Sequence, residues 1–298
     1  ALGIGGFVRL TGAFDFNGVI KSYDFITYDI PVGDIDPAEK RLYLDAHQSR
    51  LFAEVLGNAN GKSIRIYIET DFYSDQYYPR LRHAYGQIGS FLLGQTWSSL
   101  MDLDAMPNTI DFEGPNSAIA LRQPMIRYSR EFNEGFRITA ALEFPDISLT
   151  YLPPFEKVHQ YVPDLILAFR LGNQKNHIQC GGVVRSMAYR DSLAGETELI
   201  YGFGATLSGK LSLFPSAGVM FQLSGGRGMA KYIQDISGQG LDAVAEVKPG
   251  GNTEMTRLPV WGFYIGYEQY WSNRIYSTFT YGLTNIPEAY SLPGRGEY

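Results

Sequence analysis

Ser63-Ile64-Arg65-Ile66-Tyr67-Ile68-Glu69-Thr70-Asp71-Phe72 alternates almost residue by residue. Ile64, Ile66, Ile68 and Phe72 interleave with Arg65, Tyr67, Glu69 and Asp71, and a period of two places the two sets on opposite faces of a β-strand. Two architectures use such a strand in opposite senses. In a water-soluble sandwich the apolar face turns inward. In an outer-membrane barrel it faces lipid, and the charged face lines a lumen.

The same beat recurs over the 298 residues. Residues 7–17 carry Val8, Leu10, Phe14 and Phe16 against Arg9, Thr11, Asp15 and Asn17. Residues 48–56 and 62–72 flank an Asn60-Gly61 step, which favours a tight hairpin. Further pairs follow at 80–87 and 90–97, 118–129 and 136–144, 165–171 and 178–189, 198–213 and 218–224, and 260–271 and 275–283, which makes thirteen strands. Six short turns alternate with long connections at 18–44, 98–116, 145–163 and 225–258, as in a transmembrane antiparallel up-and-down β-barrel with tight turns on one side and long loops on the other. Sandwiches and jelly rolls have no reason to keep the long loops at one end, and an α/β enzyme would need helical segments that are missing. Single-chain bacterial barrels close with an even strand number. The expectation is therefore one all-β barrel domain over 1–298, with about three closing strands absent and 285–298 reading as a loop that enters a new strand.

Composition removes several function classes. Net charge of −6, a pI near 5.3 and no run of Lys and Arg leave no electrostatic footprint for nucleic acid. The richest apolar run, 165–169, is far short of a membrane helix, but a barrel strand needs only about 9–11 half-apolar residues to cross. Cys180 is the single cysteine, so no intrachain disulfide forms, and it reads as a small packing residue. Ala1 already adjoins a strand-like segment and shows no leader peptide, so the sequence reads as a mature or trimmed chain.

Catalytic and cofactor motifs are equally sparse. Gly57-Asn58-Ala59-Asn60-Gly61-Lys62-Ser63 has three residues between its glycines where a phosphate loop has four, and it joins strand to strand. His47, His83, His159 and His177 are scattered, with no zinc-binding spacing. A GxSxG elbow is absent, although a Ser/His pair on a barrel's membrane face, as in an outer-membrane lipase, would leave no such motif. The chain reads as a non-enzyme without cofactor.

Two constellations remain. Arginine outnumbers lysine 17 to 8, and it is the cation that keeps its charge while holding an anion through several donors. Arg9, Arg50, Arg65, Arg80, Arg82, Arg137, Arg170 and Arg185 all fall on polar strand faces. In a barrel they enter the lumen, where low-dielectric walls concentrate the field and raise the local concentration of anions. Asp15, Glu54, Glu69, Asp71 and Glu143 would orient them. The second constellation is the acidic loop with Asp102, Asp104, Asp111 and Glu113, open to reading as a solvated loop or a calcium site, although the EF-hand spacing does not fit.

Gly94 to Glu131, GQTWSSLMDLDAMPNTIDFEGPNSAIALRQPMIRYSRE, resembles the DcaP-like family of trimeric outer-membrane porins in its GQTWS strand end, Met-Asp-rich loop, DFEGP turn and RQPxIRYS strand. The resemblance implies a sixteen-stranded barrel in a Gram-negative outer membrane, three per assembly and surrounded by lipid and lipopolysaccharide. It also implies passage of small anions, dicarboxylates notably, past a third loop at 98–116 that folds inward. On this reading Asp102, Asp104, Asp111, Glu113, Arg122 and Arg127 are constriction candidates. Arg122 and Arg127 have opposite parity, so without a bulge near Pro124 only one faces the lumen, and Arg127 is favoured. The family's N-terminal periplasmic coiled coil has no counterpart in these residues. The alternatives are a non-selective porin, an outer-membrane lipid hydrolase, or a soluble β-rich binding protein. Ile64, Ile66, Ile68, Trp261, Phe263 and Ile265, if lipid-facing, oppose the last.

Overall fold

The computed structural model describes residues 1–16, 25–27, 30, 40–74, 77–133, 135–248 and 250–287; Asn17 and most of the expected terminal segment 285–298 lie outside the described residues. The strands are β1 (Leu2–Phe7), β2 (Thr11–Asp15), β3 (Arg41–Asp45), β4 (Arg50–Ala59), β5 (Lys62–Asp71), β6 (Arg80–Ile88), β7 (Phe91–Trp97), β8 (Arg122–Asn133), β9 (Phe136–Glu143), β10 (Leu149–Thr150), β11 (Phe155–Lys157), β12 (Asp164–Gly172), β13 (His177–Asp191), β14 (Glu196–Phe214), β15 (Ala217–Arg227), β16 (Ala243–Val247), β17 (Thr253–Arg257), β18 (Pro259–Tyr270) and β19 (Tyr276–Asn285).

Thirteen of them form one wall, in the order β1-β4-β5-β6-β7-β8-β9-β12-β13-β14-β15-β18-β19, and β11 adds a short pairing to β13. Every neighbouring pair in the wall is antiparallel. The strand number matches the alternation, but the first strand does not sit where the alternation places it. Pairing with β4 ends at Phe7↔Arg50, and Thr11–Asp15 leaves the wall to pair with Arg41–Asp45. Between them the backbone N–H of Arg9 donates to the Ser49 hydroxyl at 3.1 Å instead of to a strand partner. The connection between β13 and β14 is also short, because these strands of 15 and 19 residues continue past the length a membrane crossing needs.

The hairpin of β4 and β5 turns at Asn60 and Gly61, with φ of 53° and 76°, the left-handed pair that a two-residue turn between twisted strands requires. Across the register, Arg65, Tyr67 and Glu69 share a face with Gln87, Tyr85 and His83, while Ile66 and Ile68 point the other way and are half exposed. The same division holds on β12, where Ile166 and Ala168 are buried and Leu165, Leu167, Phe169 and Leu171 are exposed. Trp261, Ile265, Leu207 and Leu223 continue this apolar outer belt. A belt of that kind is a lipid-facing surface. Leu167 stands mid-strand in it, so Leu167→Arg is expected to destabilise the barrel by about 2–4 kcal/mol in urea unfolding from lipid vesicles. A change near zero would take this face out of the membrane.

The inside is not hollow. The segment 98–121 after β7 and the segment 228–258 after β15 both fold inward, and Leu100, Ile119, Met229, Tyr232, Ile233 and Leu258 pack with the wall residues Ile166 and Val183 into one buried apolar cluster. Each buried Leu or Ile side chain contributes about 1.5–3 kcal/mol, so packing holds the two segments in place. Segment 98–121 reaches far around the wall, which shows the sheet's curvature. Tyr264 on β18 donates its hydroxyl to the Ala105 carbonyl at 3.2 Å, and a Cβ on Gly266 would lie 2.8 Å from Pro107. A Cβ on Gly282 of β19 would meet the Asn116 backbone at 2.5 Å, so glycine is what permits this close approach.

Candidate functional site

The open part of the interior lies along β4 to β9. One cavity there, about 670 Å³, is lined by β4 to β8, by Arg9 and by segment 98–121. Six arginines line it, Arg9, Arg50, Arg65, Arg82, Arg122 and Arg127, against three carboxylates, Glu69, Asp111 and Glu113. The chain is acidic as a whole, yet the cavity carries an excess of positive charge.

Local register explains how so many arginines converge. Opposite Glu69 and Thr70 the pairing of β5 with β6 slips by one residue, from Glu69↔His83 to Thr70↔Leu81, which leaves Arg82 as the extra residue of a bulge. Arg82 and His83, adjacent in sequence, can then both turn inward. Arg82 donates to Glu69 at 2.7 Å and to Asp71 at 2.8 Å, and Arg80 holds the same Asp71 through two bonds of 3.0 and 2.7 Å. Arg65 pairs with Glu54 at 2.5 Å, and Arg50 approaches Glu69 at 3.7 Å. Arg9 donates to the Ile110 carbonyl at 2.5 Å and so ties the outer rim to segment 98–121.

Arg122 and Arg127 differ from all of these. Neither has a carboxylate within ion-pair distance among the described residues. The Arg122 guanidinium lies 4.7 Å above the Trp97 ring, and its buried Nη1 has no hydrogen-bond partner. Arg127 donates to the Trp97 carbonyl at 3.4 Å. Parity allowed only one of the two to face the lumen, but both line the cavity, and the register of β7 with β8 runs without a bulge from Leu92↔Arg127 to Trp97↔Arg122. Arg122 is the first residue of β8, and its side chain leans over Trp97 where strand gives way to loop.

Two smaller cavities continue the path. The second, about 480 Å³, shares Met101, Leu103 and Arg127 with the first and adds Asp104, Glu131, Arg137 and Arg170. The third, about 520 Å³, shares Asp104, Glu131, Arg137 and Arg170 with the second and ends at Gly135 and Asn173, in the tight turns. The three abut in series from the long-loop end to the tight-turn end. The arginine excess falls along the way: three against two carboxylates in the second, two against two in the third. Arg137 stands 3.6 Å from Glu131, and Arg170 pairs with Asp104 at 2.5 Å.

The loop acids separate into different roles. Asp111 and Glu113 line the first cavity and Asp104 the second and third, but Asp102 lines none of them. It is 2% exposed and turned to the wall, where its carboxylate accepts from His177 Nε2 and Ser208 Oγ, both at 2.8 Å, and from Arg170 at 3.3 Å. Burial pushes this carboxyl up, but the donors of His177 and Ser208 and the nearby charge of Arg170 outweigh it and hold Asp102 below the ordinary carboxylate range. Asp102 is therefore the pin that holds segment 98–121 to β13 and β14. Asp111 accepts from the backbone of Phe25 and Gly114, and among the described residues no three acidic, histidine or cysteine side chains gather to hold a metal ion.

Arg185 also departs from expectation. Its parity is inward, but it is 1% exposed and sits beneath segment 228–258, bonded to Asp164 at 3.1 Å and Asp242 at 2.8 Å. Lys231 and Tyr232 reach the same Asp164 at 3.0 and 2.8 Å. This is a buried ionic lock for the second inward segment, not a pore-lining group. Arg80 likewise faces inward but is absorbed by Asp71 and does not line the first cavity.

Residues 2–243 match the family described as DcaP outer membrane protein. The outer membrane channel DcaP of Acinetobacter baumannii superposes with a TM-score of 0.77 at 18% identity, over 95% of this chain and 79% of that one. An anion-selective porin from Comamonas acidovorans superposes with a TM-score of 0.61 at 11% identity, over 96% of this chain and 79% of that one. At such identity these likenesses establish the shared porin fold. No curated protein sequence matches the chain. The family match spans most of the sequence, and the chain belongs to the DcaP outer membrane protein family, as a β-barrel porin of the outer membrane.

Proposed function

We propose that the barrel passes small hydrophilic solutes by passive diffusion and favours organic anions, dicarboxylates among them. As a porin it is not an enzyme and has no catalytic cycle. The observation that carries anion preference is the pair Arg122 and Arg127: two guanidinium groups on the cavity wall with no carboxylate within ion-pair distance among the described residues. An arriving carboxylate is drawn by the excess charge of the first cavity and pairs there with one or both. It then passes Met101 and Leu103 at the neck that the first two cavities share, where Arg127 serves both sides. Arg137 and Arg170 receive it beyond. Their own acids, Glu131 and Asp104, compete for them and keep the binding weak enough for release. Segment 98–121 is on this reading the constriction, and its acids set the pairing along the track.

The assembly proposed is a homotrimer, with outer-membrane lipid and lipopolysaccharide against the exposed apolar face. The similarity to an anion-selective porin supports the charge preference and the family resemblance supports the trimer. Succinate added to one side of a planar bilayer is expected to reduce the chloride current through single channels at millimolar concentration, while erythritol at the same concentration leaves it unchanged. Equal responses to the two solutes would make this a non-selective porin.

A further inference from the structure

The first cavity is aromatic as well as cationic. Tyr67, Tyr85, Trp97 and Phe112 line it, and its arginines are layered against them. The Arg65 guanidinium stands 4.9 Å from the Tyr67 ring centre and 5.6 Å from that of Tyr85. Arg82 stands 5.9 Å from both Trp97 and Phe112, and Arg122 lies 4.7 Å over Trp97. A guanidinium is planar and weakly hydrated, so the face that a ring does not cover accepts a second flat π system while its edge donates to a carboxylate. A wall built this way offers more to an anion with a ring than to a compact one.

The neck adds the same bias. Met101 and Leu103 stand with Arg127 at the passage between the first two cavities. A chloride ion must bring its water against two apolar side chains there. An anion with an apolar body lays that body on the thioether and the leucine, and presents its charge to Arg127.

We propose that the lumen discriminates among anions in favour of carboxylates that carry a flat aromatic ring. This rests on the anion reading given above and names the substrate class within it. Benzoate, cyclohexanecarboxylate and acetate provide the comparison, since all three carry one carboxylate and the first two are close in size but only one has a π face. Each is titrated at neutral pH against the chloride current of the complete protein in a planar bilayer, and the concentration that halves the current is read. Benzoate is expected to half-block at about fivefold lower concentration than cyclohexanecarboxylate, the order of one or two aromatic contacts, and lower again than acetate. Phe112→Leu should narrow the gap between benzoate and cyclohexanecarboxylate. Equal half-blocking concentrations in a channel whose reversal potential is still that of an anion channel overturn the aromatic preference and leave the anion reading standing. A cation-type reversal potential with no block by any of the three overturns both.

Discussion

The variant Arg122→Ala/Arg127→Ala is expected to lose most of the anion preference while its channels still open. A guanidinium about 6 Å from a passing anion in a water-like medium contributes about 0.7 kcal/mol by Coulomb's law, so the pair contributes about 1.4 kcal/mol, about tenfold in anion permeability, and repels cations as well. The effect concentrates on these two residues because the other arginines of the first cavity are engaged elsewhere. Arg82 holds Glu69 and Asp71, Arg65 holds Glu54, and Arg50 lies beside Glu69. Arg65→Gln/Glu54→Gln, which removes a paired cation together with its acid and leaves the local charge unchanged, should therefore alter selectivity less. The recordings belong at 0.1 M salt, where the Debye length is about 10 Å, because at 1 M screening within about 3 Å would hide the difference. Lysine at both positions restores the charge and should restore most of the preference. Unchanged selectivity in the alanine variant would move the anion filter elsewhere.

Asp102→Ala should release segment 98–121 and give larger, noisier channels. Removing one partner of a buried ion pair costs about 3–5 kcal/mol, and here it strands the buried His177 together with Arg170. Asp102→Asn keeps an acceptor in the same place and should show a weaker form of the same behaviour. Acid should act on the same pin in wild-type protein. The Asp102 carboxyl is held below its ordinary value, so its anchoring is fully present above the unfolded-state pKa of about 4 and is lost only as pH falls through the lower folded-state value. Single-channel conductance at fixed salt should hold steady from pH 7 to about 4 and rise below it. A conductance that climbs already between pH 6 and 5 would mean that another group pins the segment.

The sequence carried the architecture because strand parity is written in side-chain chemistry. Ile64, Ile66 and Ile68 fall on the outer face and Arg65, Tyr67 and Glu69 on the inner one, as alternation requires. The wall has the thirteen strands that alternation counts. What alternation does not record is whether a partner strand is present. Val8, Leu10, Phe14 and Phe16 keep the beat across a break in pairing, so the first strand reads longer than it is. Nor does parity record what covers a lumen-facing residue. Arg185 points inward as expected, but segment 228–258 packs over it, and a loop that folds back into a barrel announces itself by no period.

The site was legible to a similar depth. Arg127, Asp104, Asp111 and Glu113 border the described cavities, whereas Asp102, three residues before Ala105, turns to the wall and accepts from it. A single acidic loop thus holds lining and structural carboxylates that composition alone cannot separate. Trp97 carried a signal in the GQTWS strand end, and its part in holding Arg122 and Arg127 emerges only from the geometry. Met101 and Leu103, the apolar half of the neck, offered nothing beyond their place in the Met-Asp-rich loop.

The reversal potential of the wild-type protein in a planar bilayer, under a tenfold gradient of potassium chloride at low ionic strength, tests the arginine track most directly. A potential displaced toward the chloride equilibrium value, and displaced back by Arg122→Ala/Arg127→Ala, is the expected result. A potential at zero or on the potassium side in the wild-type protein would contradict the account, because a cavity wall whose arginines outnumber its carboxylates among the described residues cannot favour cations.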